Sequence, residues 1–218
     1  MIDLADCLKS VATKRVLYVM ATEQEYGVAL KDRLTPFRTG VGPVEAAAHL
    51  AAALASCLGI GQRPDLIVSL GSAGSRTLEQ GEVFQVSSVA YRDMDASALG
   101  FGKGETPFLG LPAILPLEIH ISGIPTATLS TGANIVSGSA YDEIEADLVD
   151  METYAHLRAA MLFDIPLVGL RGVSDGKEEL RHFEDWTRLL PLLDEKLAKA
   201  VDRLESAIRN GELARLSE

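Results

Sequence analysis

Residues 65–75 read DLIVSLGSAGS, a short apolar run closed by a turn of small residues from Gly71 to Ser75. The run is a candidate strand, and glycines in the turn let the backbone approach a ligand closely. Working outward, similar runs occur at VLYVM (16–20), VFQVSSVAY (83–91), TATLST (126–131), DLVDM (147–151) and PLVGLRGVS (166–174). Helical patterns lie between them. One covers about 42–58, where Ala46 to Ala48 and Ala51 to Ala53 give a small-residue face for close packing, and another covers about 152–163. Strands alternating with helices predict an α/β fold.

A final helix is expected over about 183–209, with Leu189, Leu193, Leu197, Val201, Leu204 and Ile208 forming one apolar stripe. The segment SALGFGKGETPFLGLPAILP (97–116) is rich in Gly and Pro and follows neither period, so it reads as a long loop, a lid or a subunit contact. The opening MIDLADCLKSVATKR is amphipathic, with acids ahead of its basic residues, unlike a secretory signal. It reads as an extra helix over 1–14, before one domain over 15–210 and a tail over 211–218.

The 218 residues include 31 acidic and 20 basic side chains, a formal charge of −11. Such a field repels phosphate backbones and anionic membrane surfaces, so neither nucleic acid nor membrane is an expected partner. The longest apolar stretch, AAAHLAAALASCLGI (46–60), falls short of the roughly 20 residues of a membrane span. Cys7 and Cys57 are far apart and in no metal-binding pattern, which suggests neither a disulfide framework nor zinc and points to a reducing cytoplasm.

Ligands of open α/β sheets bind at the carboxyl ends of strands. Those positions here hold ATEQEYG (21–27) with Glu23 and Glu25, GSAGS with Ser72, DMET (150–153) with Glu152, and RGVSD (171–175) with Arg171, Ser174 and Asp175. Carboxyl groups with separated pKa values can act as general acid and general base across a glycosidic bond. Each also has a plainer reading. GSAGS fits an ordinary turn, Asp175 ahead of GKEE fits a helix N-cap, and Arg171 fits a structural ion pair. Alternation along a strand would put Arg171 and Asp175 on one side.

In order along the chain, ATEQE, TGVGPVEAA (39–47), GSAG, YRDMDAS (91–97), STG with SGS (130–139), DMET and RGVSD resemble the type I nucleoside phosphorylase superfamily. Within it the chain is most similar to the methylthioadenosine/S-adenosylhomocysteine nucleosidases, from about residue 15 to 205. The resemblance implies one α/β domain with a mixed, barrel-like central sheet flanked by helices. It also implies a homodimer whose 97–116 loop helps enclose the partner's substrate, and a nucleoside substrate with no cofactor or metal.

Carried over by position, Asp175 would donate a proton toward N7 of adenine and accept from the 6-amino group, oriented by Ser174. Glu25 would hold the attacking water, helped by Ser72 and Arg171. Glu152 would bind the ribose 2′- and 3′-hydroxyls, with Met151 against the sugar. Ile135 and Val136 would line the base, and Phe183 or Trp186 would cap it. Related phosphorylases hold phosphate with an arginine where this chain has Ser69, and Glu23 and Glu25 would repel phosphate, so the resemblance favours water as nucleophile.

Three departures bear on the base cap and the ribose 5′ position. Ala133, Asn134 and Ile135 replace acidic and aromatic residues, two residues fewer separate Asp175 from Phe183, and Ser75 replaces a glycine. A phosphorylase, a futalosine-type nucleosidase and a nucleoside-binding module without turnover are the alternatives.

Overall fold

A computed structural model of the chain describes residues 4–176 and 178–213. The helix expected over 1–14 begins with residues 1–3, which lie outside the described residues; among the described ones a single turn is helical, α1 (Leu4–Cys7). Strand β1 (Leu8–Val11) follows and pairs antiparallel with β2 (Lys14–Met20), Val11 opposite Lys14. Leu4, Leu8 and Val11 fall at helical steps in the sequence, but so short a helix is marginal alone, whereas the edge of β2 offers a full ladder of partners. Ala12 takes a left-handed φ of 53° in the hairpin connection.

Helix α2 (Val28–Lys31), the short strand β3 (Phe37–Arg38) and helix α3 (Pro43–Gly59) come next. Then come β4 (Leu66–Gly74), β5 (Val83–Tyr91), β6 (Ile114–Pro116), β7 (Thr126–Thr131) and β8 (Leu148–Asp150). Helix α4 (Thr153–Leu162) leads to β9 (Leu167–Asp175). The expected 183–209 helix is two helices, α5 (Phe183–Thr187) and α6 (Leu190–Arg209). Pro191 sits in the first turn of α6, where its missing N–H costs nothing, and it prevents one continuous helix. The 97–116 segment begins with a 3-10 turn (Ser97–Leu99), and its last residues form β6 against β5.

Five strands close on themselves. β4 pairs parallel with β9, β9 antiparallel with β5, β5 parallel with β7, β7 parallel with β8, and β8 antiparallel with β4. The result is a mixed barrel, with β2 extending it from β4 and carrying β1 and β3. Side chains alternate across β2: Val16, Tyr18 and Met20 pack toward α6, while Leu17 and Val19 join the cluster containing Leu50 and Leu54 of α3 and Leu157 of α4. Burial on both faces explains why these strands read as unbroken apolar runs. The stripe of α6 is core, with Leu193, Leu197, Val201, Leu204 and Ile208 buried.

One irregularity matters for the site. The β4–β9 register runs Ala73 opposite Val173 and then Gly74 opposite Asp175, so Ser174 is an extra residue in a bulge. A bulge re-aims the side chains that follow it.

Candidate active site

A cavity of about 650 Å³ opens at the carboxyl ends of β2, β4, β8 and β9. Glu25, Ser72, Val136, Ile135, Met151, Glu152, Ser174, Asp175 and Phe183 all line it, so nearly every residue singled out by sequence meets there. Ile135 and Phe183 are exposed at its rim and Val136 is buried.

Glu25 follows β2 and is only 9% exposed. Its Oε1 accepts from the backbone N–H of Ser72 at 2.6 Å and from Ser72 Oγ at 2.7 Å. Burial pushes its carboxyl above the usual range, while the Ser72 bonds and the charge of Arg171 pull the other way. The GSAGS segment, read from the sequence as a turn, is instead the end of β4 through Gly74, and Ser72 on that strand holds the Glu25 carboxyl group. The loop bearing Glu25 is anchored by buried Asp194 of α6, whose Oδ1 accepts from Gly27 and Leu30 N–H at 3.1 Å and whose Oδ2 accepts from Ala29 N–H at 2.7 Å. A Cβ on Gly27 would strike that carboxyl group.

Asp175 lies across the cavity wall at the end of β9. Its Oδ1 accepts from Ser174 Oγ at 2.6 Å, and burial raises its pKa against the opposing pull of that bond. Gly74 permits this arrangement, since a Cβ there would strike both Asp175 Oδ2 and the Tyr141 hydroxyl. That buried hydroxyl has no hydrogen-bond partner among the described residues. Glu152 stands at the N-terminus of α4, and its Oε1 accepts from Gly42 N–H at 2.9 Å. Burial and the neighbouring Asp150 charge push its pKa up.

Arg171 does not line the cavity. It is 2% exposed, and its Nε and Nη2 donate to Asp150 Oδ2 at 3.1 and 3.0 Å. Nη2 also reaches Ser69 Oγ and Thr153 Oγ1, and Nη1 donates to Ser69 O and Leu170 O. The Ser174 bulge interrupts the strict alternation from which Arg171 and Asp175 were expected on one side. Burial alone would raise Asp150, but Arg171 and donors from Thr131 and Thr153 hold it below the usual range. Ser69, the position compared with a phosphate-binding arginine, is also occupied. Its Oγ meets His156 Nδ1 at 2.9 Å, and burial with the Arg171 charge holds that imidazole neutral, its pKa pushed down to about 3.

Arg92 and Asp150 also line the cavity and carried no assigned role in the sequence. Arg92, within the YRDMDAS motif, donates to Ser130 O at 2.7 Å, Asp150 O at 3.0 Å and Asn134 O at 2.6 Å, tying β7 and β8 to the segment that holds Ile135. Asp150 itself is the first residue of DMET. Trp186, expected as an alternative base cap, donates its indole N–H to Ser72 Oγ at 2.9 Å and packs edge-to-face on Phe183, centroids 5.4 Å apart. Among the described residues no group of three or more His, Cys, Asp or Glu is arranged to hold a metal ion, and no helix is long and apolar enough to cross a membrane.

The arrangement can deliver a proton from Asp175, accept one at Glu25, and bind hydroxyl groups at Glu152, all within one cavity. Residues 22–205 match the model of the phosphorylase superfamily. A 5′-methylthioadenosine/S-adenosylhomocysteine nucleosidase of Haemophilus influenzae (strain PittEE) is 29% identical over 158 residues, covering 64% of this chain and 66% of that protein. The protein of the same name from Haemophilus ducreyi is 26% identical over 160 residues, 64% of this chain and 67% of that one. The match thus spans about two thirds of the length of these curated relatives.

Among solved structures, the nucleosidase of that name from Colwellia psychrerythraea 34H, in complex with adenine, has a TM-score of 0.69 at 23% identity, covering 87% of this chain and 95% of that one. The futalosine hydrolase of Helicobacter pylori strain 26695 has a TM-score of 0.68 at 17% identity, covering 86% and 95%. Both share the fold. The matched region runs through the strand-end segments from Thr22 to Trp186 that build the cavity, and the chain belongs to the phosphorylase superfamily.

Proposed function

We propose that the chain hydrolyses the N-glycosidic bond of adenine nucleosides, releasing adenine and a 5-substituted ribose from substrates of the methylthioadenosine and S-adenosylhomocysteine type. One observation carries this reading: Asp175 and Glu25 line a single cavity, both raised by burial, each held by a serine, and Glu152 lines the same cavity. The curated relatives are nucleosidases of this kind by name.

In the mechanism that follows, the bond from ribose C1′ to the base breaks and its electron pair leaves with the base. Asp175 protonates the base at N7, which makes it a better leaving group. Positive charge grows on the sugar, and the surrounding carboxylates stabilise it. Water attacks C1′ and gives a proton to Glu25, while Glu152 accepts from the ribose hydroxyls. Arg171 contributes its charge from behind the wall rather than by contact, supporting the ionised form of Glu25.

Water is preferred to phosphate because a carboxylate at Glu25 repels an anion by several kcal/mol at close range in a poorly screened site. The assembly is a cytoplasmic homodimer in this reading. The 97–116 loop supplies no residue to its own chain's cavity, yet it exposes Leu99 and Phe108, the latter 97%. Those side chains suit a partner's ribose 5′ end.

Incubation with methylthioadenosine, with and without phosphate, tests the reading by following free adenine. Release in phosphate-free buffer at an undiminished rate is expected. A strict need for phosphate, with ribose 1-phosphate as product, would establish a phosphorylase. Tight binding without turnover would establish a binding module. Release of hypoxanthine from futalosine in preference to adenine from methylthioadenosine would move the chain to the futalosine class, which the departures at Ala133, Asn134 and Ile135 bring into view.

A further inference from the structure

Ser72 holds Glu25, and a third group holds Ser72. An indole N–H only donates, so the 2.9 Å bond from Trp186 Nε1 uses a lone pair of Ser72 Oγ. The single hydroxyl proton of Ser72 is then left for an acceptor, and the acceptor at hand is Glu25 Oε1 at 2.7 Å. The Ser72 backbone N–H reaches the same oxygen at 2.6 Å. Two donors therefore converge on Oε1, which leaves Oε2 to hold a water.

Without the indole, the Ser72 hydroxyl could rotate and donate to a water or a sugar oxygen, and Glu25 would lose one donor. We propose that Trp186 is a positioning residue that acts through Ser72, fixing the direction of its hydroxyl proton so that Glu25 presents one free oxygen to the attacking water. The inference rests on the reading of Glu25 as the water-holding group.

The geometry also makes the segment over the cavity bifunctional. Phe183 stands at the rim, and Trp186, three residues on along α5, reaches the Glu25 side. Asp185 pins the start of α5 by accepting from the backbone N–H groups of Arg181 and His182, both at 2.8 Å. The same short helix thus contacts the base end and sets the hydroxyl at the water end.

Trp186 is the single tryptophan of the chain, which gives a direct readout. In an NMR spectrum of the 15N-labelled protein, Ser72→Ala should move the one indole N–H cross-peak upfield in the proton dimension. An unmoved peak would overturn the proposal, and this arm needs no turnover. In the adenine-release assay, Trp186→Phe keeps a ring against Phe183 but removes the donor. It should lower kcat about tenfold and leave KM within about twofold. In a Ser72→Ala background the same substitution should cost nothing further. Equal losses in both backgrounds, or a raised KM with unchanged kcat, would show that Trp186 serves the ligand directly and overturn the proposal. If the unmodified protein releases no adenine at all, the nucleosidase reading fails, and the cross-peak still decides whether Trp186 orients Ser72.

Discussion

Asp175 and Glu25 must hold opposite protonation states for the proposed chemistry. Both are raised by burial, and the proposed chemistry needs Glu25 to lose its proton at a lower pH than Asp175 does. Activity requires Glu25 ionised, so kcat/KM should fall as pH drops through its raised pKa. It requires Asp175 protonated, so kcat/KM should also fall as pH rises through the raised pKa of Asp175. A pH–rate profile that keeps climbing into alkaline solution would contradict the acid role.

The Asp150–Arg171 pair has a different character, since both side chains are almost fully enclosed. Asp150→Asn leaves a buried guanidinium without its countercharge and should cost about 3–5 kcal/mol in urea unfolding. A loss below about 1 kcal/mol would mean the pair is not what secures β8 to β9. Glu25, Ser72, Glu152 and Asp175 were legible because each directly follows an apolar run. Arg171 was legible only in its plainer reading, as the structural ion pair that it forms with Asp150, and the bulge at Ser174 has no mark in the residue types that form it. Tyr141 was equally hidden, since only the folded chain brings it under Gly74.

At the scale of elements, strands were easier to read than the pieces between them. β5 and β7 coincide with the expected strands, and at the start of β7 the buried Ala127 and Leu129 alternate with exposed Thr126 and Thr128 as a strand requires. The opening hairpin was missed because three apolar residues at helical steps also suit a strand laid on the edge of β2. The division between α5 and α6 was signalled by Pro191, but the continuous apolar stripe masked it.

Asp194 shows how an element far along the chain positions the site. It binds three N–H groups at the start of α2, immediately after the Glu25 loop. Asp194→Ala should strand those donors and cost on the order of 3 kcal/mol, with a fall in kcat as Glu25 loosens. Denaturant unfolding and steady-state kinetics together check this, and unchanged stability would remove Asp194 from the account.

For the molecule as a whole, the barrel explains why distant segments meet. Closing β4, β8, β7, β5 and β9 brings the strand ends bearing Ser72, Glu152 and Asp175 around one cavity, while β2 beside β4 brings in Glu25. The barrel-like sheet was an inference from resemblance, since residue patterns show strands but not which of them pair.

The exposed 97–116 loop belongs to the same scale. Phe101 and Phe108 pack edge-to-face 5.4 Å apart, outside the cavity of their own chain. If they complete a partner's site, Phe101→Ala or Phe108→Ala should raise KM several-fold in a protein that light scattering finds dimeric. An unchanged KM for both variants would rule that role out.

The central claim is that Asp175 protonates the departing base, and its most direct test compares two leaving groups in Asp175→Asn. Turnover of methylthioadenosine should fall by about 10²–10⁴-fold, because an amide cannot supply the proton. A nitrophenyl riboside, whose leaving group departs without protonation, should retain turnover within about tenfold of the unmodified protein. Equal losses on both substrates, or a methylthioadenosine rate that survives the substitution, would contradict the account.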